Sequence, residues 1–183
     1  MKTLYLILIL IIIFGSNYIT LKLGEQHYNN NICELFDIFH IILPDLHNYE
    51  NVINYILFIG LASLYFLGTN ALITEYISKL IIILLVRAFT IISTILPKHN
   101  NCDEKLSLRS FIVGGCYDKI FSGHTAAILL LTLLYFKEHI INIPSLIGIN
   151  LINTLLIIAT RSHYTIDVLL AVFVTFTIDN VNV

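Results

Sequence analysis

Ile77-Ser78-Lys79-Leu80-Ile81-Ile82-Ile83-Leu84-Leu85-Val86-Arg87-Ala88-Phe89-Thr90-Ile91-Ile92-Ser93-Thr94-Ile95-Leu96 decides the class of fold. A helix needs about 20 mostly apolar residues to cross the hydrocarbon core of a bilayer, and this run supplies them. Arg87 stands inside it. An ionisable group at that depth is costly and needs an anionic partner. Asp118 or a phosphate would serve, and a plain structural ion pair is the rival reading. The rest of the chain has the same character: 183 residues, 57% hydrophobic, 12% charged, with a mean hydropathy of +0.87. A soluble domain carries about a quarter charged residues. A water-soluble globule is therefore excluded, and so is a disordered chain, which needs low hydrophobicity. The net charge of −2, with scattered Lys and Arg, offers no basic face for nucleic acid.

Working outward gives five further apolar segments. They run over about Leu4–Leu23, Val52–Leu72, His124–Phe136, Leu146–Thr160 and Tyr164–Ile178. The last three are short for full spans. The first resembles a signal peptide in having Lys2 before an apolar core, but Phe14-Gly15-Ser16-Asn17 is a poor cleavage site. An uncleaved first helix is the favoured reading. The expectation is an all-α, six-transmembrane-helix bundle forming one domain over 1–183, without repeats or linkers.

Six crossings place the long connections Glu25–Asn51 and Pro97–Lys119 on one face, together with the turn Arg161–His163. Lys22, Lys98, Lys105, Arg109, Lys119 and Arg161 fall near that face, against Lys2, Lys79 and Lys137 at the other. By the positive-inside rule the long-loop face is cytoplasmic. A phosphate site also needs cations, so the count has two readings. No N-x-S/T sequon marks a lumenal loop.

Two polar strings interrupt the apolar runs. Cys116-Tyr117-Asp118-Lys119-Ile120-Phe121-Ser122-Gly123-His124-Thr125 ends where an apolar run begins. Ser122 suits an N-cap, and Gly123 lets backbone approach a ligand. A helix start binds anions, and a histidine there can give or take a proton. In Arg161-Ser162-His163-Tyr164-Thr165-Ile166-Asp167, His163 and Asp167 lie four apart on one helix face. A carboxylate behind an imidazole fixes its tautomer and makes the other nitrogen a better nucleophile. Together these residues suit phosphoryl transfer through a phosphohistidine. His27, His40, His47, His99 and His139 are read as structural, and Lys79 as a snorkelling interface residue. Cys33, Cys102, Cys116 and the histidines lack the spacing of a zinc site, so no metal or cofactor is expected. One disulfide is compatible with a lumenal face, with its pairing open.

The strings resemble the sphingomyelin synthase (ceramide phosphotransferase) family. The first is similar to its motif C-G-D-[FY]-[IL]-[FY]-S-G-H-T, and His163–Asp167 to H-Y-[ST]-x-D. Leu43-Pro44-Asp45 resembles the end of P-P-L-P-D, and Arg87-Ala88-Phe89-Thr90 with Thr94, Leu96 and Pro97 resembles Y-R-x-x-T…L-P. The resemblance implies six helices of the lipid phosphate phosphatase type. It implies a His124, His163, Asp167 triad with His163 as nucleophile and His124 acting on the leaving group. It also implies a lumenal or exterior active site in the Golgi or plasma membrane.

The expected reaction moves a phospho-headgroup from a glycerophospholipid to ceramide. The expected partners are those lipids, with self-association left open. Arg87, Asp118, Ser122, Gly123, Arg161 and Tyr164 are the expected substrate-binding residues, Arg87 and Arg161 holding phosphate oxygens. A lipid phosphatase using water is the alternative reading, and a non-catalytic lipid-binding protein is another. Two positions depart from the motif: Tyr117 replaces a glycine and Lys119 an aromatic residue. Lys119 favours an anionic donor such as phosphatidylinositol. Choline would want an aromatic and acidic pocket, which Tyr117, Phe121, Tyr164 and Asp118 could form.

Overall fold

The computed structural model describes residues 2–27, 35–96 and 117–181. Seven α-helices lie within them: α1 Lys2–His27, α2 Ile38–Ile42, α3 Asn51–Leu67, α4 Asn70–Ser93, α5 Gly123–Lys137, α6 Ile143–Ala159 and α7 Thr165–Asp179. A single 3₁₀ turn, His47–Tyr49, precedes α3. No strand occurs among the described residues. Cys33, Cys102, Cys116, His99, Lys98, Lys105 and Arg109 lie outside them, as do the side chains of Lys2 and His27.

Local sequence sets the helix starts. Thr69 caps α4 by accepting the Leu72 amide (3.2 Å), and Asn142 caps α6 by accepting that of Ser145 (3.0 Å). Pro144 sits in the first turn of α6, where its missing N–H costs nothing. Two boundaries differ from the sequence reading. The second apolar run, expected to reach Leu72, breaks at Gly68, and the next helix, expected from Ile77, already begins at Asn70. Within Glu25–Asn51, expected as a polar loop, Asp37 nucleates the short α2.

Inter-helix contacts fix the directions of the six long helices. Asn17 and Thr20 of α1 meet Arg87 and Ile91 of α4, so these two run the same way. Lys79, early in α4, meets Asp179 at the end of α7, so this pair is antiparallel. Asn54, Gly60 and Ser63 of α3 meet His124, Ile128 and Tyr135 of α5 in matching order. Asn150 of α6 donates to Thr132 of α5 (2.8 Å), and Ala159 ends α6 beside Leu46. The chain thus runs up and down six times. The ends of α1, α4 and α6 and the starts of α3, α5 and α7 lie at one end.

α5 is the buried centre, with Ala126, Leu130 and Leu134 almost fully enclosed by α4 and α7. The outer faces are apolar: Phe58, Ile59 and Phe66 on α3, and Phe173 on α7, lie open. A greasy exterior around a polar-ended core suits a lipid solvent. Three stretches, Leu4–Gln26, His47–Leu67 and Asn70–Ser93, are long and apolar enough to cross a membrane.

At the far end from the polar strings, Lys79 is buried rather than snorkelling. Its ammonium donates to Glu75 (2.7 Å) and Asp179 (3.2 Å), and Lys137 donates to the same Asp179 carboxylate (2.7 Å). A cation that finds carboxylates inside the bundle has no need to reach the interface.

Candidate active site

The two polar strings converge at the end where α5 and α7 begin. Ser122 caps α5, its hydroxyl accepting from the Thr125 amide (3.3 Å) and hydroxyl (2.8 Å). The Ser122 amide donates to the Asp167 carbonyl (3.4 Å), joining the two helix starts. Lys119 donates to the Ser162 carbonyl (2.6 Å), and its own carbonyl lies 3.4 Å from His163 Nδ1. Asp167 Oδ2 lies 3.5 Å from the same Nδ1 and accepts the Tyr164 amide at 2.9 Å. Both neighbours of Nδ1 only accept, so Nδ1 carries the proton and Nε2 keeps its lone pair. Burial pushes the His163 imidazole down to about 3, and the Lys119 ammonium adds to the shift. It is therefore neutral, the form in which an imidazole nitrogen can act as a nucleophile.

His124, in the first turn of α5, turns Nε2 to Asn54 Oδ1 of α3 (2.9 Å). Its titratable neighbours are the neutral His163 ring and the cations Arg87 and Lys119. Arg87 reaches from α4. Its Nη2 binds Asp118 at 2.5 Å and its Nη1 binds Asn17 at 3.2 Å. Nε is buried without a hydrogen-bond partner and faces Gly123, where an added Cβ would come within 3.4 Å of it. An orphaned guanidinium N–H beside a helix N-terminus suits one anionic oxygen. Asp167 Oδ1 is likewise buried without a hydrogen-bond partner.

Arg161 departs from the expectation of a phosphate ligand. It adopts a left-handed φ of 59°, and Nη2 donates to the carbonyls of His40 (2.6 Å) and Leu43 (3.0 Å). It braces the loop that carries His163. The aromatic and acidic pocket that choline would want is not assembled from Tyr117, Phe121, Tyr164 and Asp118. Tyr117 is buried against Gly24 of α1, where any Cβ would run into its ring. That glycine is why a large ring is tolerated at 117. Phe121 is enclosed in the main core, Asp118 is held by Arg87, and Tyr164 stacks on His40 at 5.2 Å.

The site has members that the sequence reading passed over. Asp37 caps α7 across the chain, accepting the Thr165 amide (2.6 Å) and hydroxyl (2.8 Å). Burial alone would raise its pKa, but these hydrogen bonds hold it below the usual value. His40, read as merely structural, donates from Nε2 to the His163 carbonyl (3.1 Å). Asn54 was the legible one, since an amide within Val52-Ile53-Asn54-Tyr55-Ile56 is a polar group in an apolar helix. Among the described residues, no group of three or more His, Cys, Asp or Glu could hold a metal ion.

Residues 115–181 match the family described as PAP2 superfamily C-terminal. Over this segment the chain is similar to the PAP2 superfamily. The segment contains both polar strings and bears out the resemblance to sphingomyelin synthase-like lipid phosphate phosphatases. A phosphatidylinositol:ceramide inositolphosphotransferase of Trypanosoma cruzi (strain CL Brener) is 32% identical over 121 residues, covering 56% of this chain and 36% of that protein. The chain thus spans about a third of the length of the curated relative it matches. No solved structure matches it. Asn54, Asp37, His40 and Arg87 all lie outside the PAP2 segment, so the helices before it complete the site's surroundings.

Proposed function

We propose that this chain is a single-domain, six-span membrane phosphotransferase. It moves a phospho-headgroup from a glycerophospholipid to the primary hydroxyl of ceramide and releases diacylglycerol. The observation that carries this reading is the convergence of a neutral His163, backed by Asp167, with His124 and an orphaned Arg87 Nε at one helix N-terminus. The relative's named activity, together with Lys119 beside His163, favours phosphatidylinositol as donor over choline or ethanolamine lipids.

His163 Nε2 attacks phosphorus, and the bond to the diacylglycerol oxygen breaks. His124 enters the step as the imidazolium and gives that oxygen its Nδ1 proton, keeping the one on Nε2. Arg87 Nε and the amides that open α5 hold the phosphoryl oxygens as charge builds. Asp167 and the Lys119 carbonyl steady the Nδ1 proton as His163 becomes cationic. In the second half, the ceramide hydroxyl loses its proton to His124 and attacks phosphorus. The P–N bond breaks and His163 is restored. The active site faces the lumen or exterior of the Golgi or plasma membrane.

The test is a labelled-ceramide assay in cell-free membranes, offering inositol, choline and ethanolamine phospholipids in turn. Transfer from phosphatidylinositol, lost in His163→Ala, is expected. Release of phosphate from phosphatidate without ceramide would replace the reading with a lipid phosphatase.

A further inference from the structure

His124 needs more than a position on α5 to do two opposite proton transfers. It has to present one nitrogen to the substrate oxygen, and something must hold the other. Its Nε2 lies 2.9 Å from Asn54 Oδ1 on α3. An amide oxygen only accepts, so Nε2 carries the hydrogen and Nδ1 becomes the nitrogen that exchanges protons. We propose that Asn54 is the positioning residue of His124, fixing its tautomer and aiming Nδ1 at the oxygen that leaves or attacks. This rests on the phosphotransferase reading above and deepens it.

The packing that allows this contact is built into the two helices. Gly60, farther along α3, lets α5 approach so closely that a Cβ there would sit 2.9 Å from Ile128 Cδ1. Ser63 and Tyr135 then bond hydroxyl to hydroxyl at 2.9 Å in the same seam. Three contacts in matching order hold Asn54 level with His124.

The chemistry of the two supports also differs. His163 has a carboxylate behind it and His124 a neutral amide. A carboxylate stabilises an imidazolium and suits the histidine that becomes positively charged on phosphorylation. An amide adds no such stabilisation, which suits a histidine that must surrender its proton and take it back. The charged groups facing His124 are Arg87 from α4 and Lys119 before α5, and the neutral, titratable His163 ring faces it from before α7.

The experiment compares Asn54→Leu and Asn54→Asp in the full chain, reading kcat, KM, the pH profile and the histidine ¹⁵N spectrum. Asn54→Leu is expected to lower kcat roughly 10- to 100-fold with little change in KM, because acid–base help is impaired but binding is not. Its ¹⁵N spectrum should show His124 as a mixture of tautomers. Asn54→Asp keeps the acceptor, so it should restore Nε2–H and most of kcat. The new carboxylate should move the pH limb governed by His124 upward by about one unit. Wild-type kinetics and profile in Asn54→Leu would overturn the proposal. Equal losses in both variants without a tautomer or pH change would also overturn it, because that pattern marks a structural role. The spectrum reads the tautomer without turnover. Failure of the transfer activity itself is therefore seen separately, as a wild-type protein that keeps Nε2–H yet moves no headgroup.

Discussion

A buried neutral histidine is a stability liability in acid. His163 resists protonation down to about 3, whereas an unfolded histidine takes up a proton near 6.5. Below the unfolded value the unfolded state binds more protons, so stability falls as pH drops from about 6.5 toward 3. The slope from one such group approaches 1.4 kcal/mol per pH unit. His163→Asn removes it, so thermal unfolding in detergent between pH 6.5 and 4.5 should be less acid-sensitive than in the wild type. Equal sensitivity would show that His163 is not kept neutral by the fold. Arg87 makes a second case at this scale. Lysine keeps the charge but lacks the planar fork that binds Asp118 and Asn17 while leaving Nε open to a further acceptor. Arg87→Lys should insert and fold, yet lose about 100-fold in kcat/KM, mostly in kcat if Nε acts on the developing phosphoryl charge. Turnover within threefold of the wild type would remove Arg87 from the reaction.

At the level of elements, the sequence disclosed the starts of α5 and α7 because their polar strings are local signals. Ser122-Gly123-His124 reads as a cap, and His163 with Asp167 reads as one helical face. What it hid was everything acquired across the chain. Asp37 caps α7 from 128 positions away, and Arg161 ties down the segment of His40 and Leu43. No periodicity marks such partners, since a carboxylate in a polar loop looks solvated until the fold gives it a helix to cap. The strap from Asp37 to Leu46 also bonds the Ala159 carbonyl, so it holds the His163 loop from both sides. Asp37→Ala should cost about 1 kcal/mol as a lost cap and lower kcat through a looser loop. Asp37→Asn, which keeps an acceptor, should recover most of both in a paired melt and assay. The α3–α5 seam is the other element-scale device. Gly60→Ala pushes a methyl into Ile128 and should destabilise by about 1–3 kcal/mol, reducing activity through the displaced Asn54. An alanine variant as stable and active as the wild type would show that the seam has slack.

For the whole molecule, six long helices in alternating directions leave the ends of α1 and α4, the starts of α3 and α5 and the His163 turn at one end. The sequence could propose this from loop lengths alone, but it could not weigh the cations that should orient it. Lys79 and Lys137 both converge on Asp179, and Arg87 is held by Asp118. Lys119 and Arg161 are turned to backbone carbonyls around the site. These cations are committed to internal partners, so their count is a poor guide to sidedness. The topology itself is testable. With Cys33, Cys102 and Cys116 changed to serine, single cysteines at Asp45 and Glu50 probe the site end. Those at Asn70 and Glu138 probe the other end. In sealed vesicles, a membrane-impermeant maleimide should label one pair from the lumenal or exterior side and spare the other until detergent is added. Labelling of Asp45→Cys and Glu138→Cys from the same side would mean that the helices between them do not cross an odd number of times, and the six-span arrangement would fail. Labelling of the site-end pair only from the cytosolic side would keep the arrangement but reverse it. Donor lipid would then have to reach His163 from the cytosolic leaflet, and donors confined to the opposite leaflet of the vesicles would go unused.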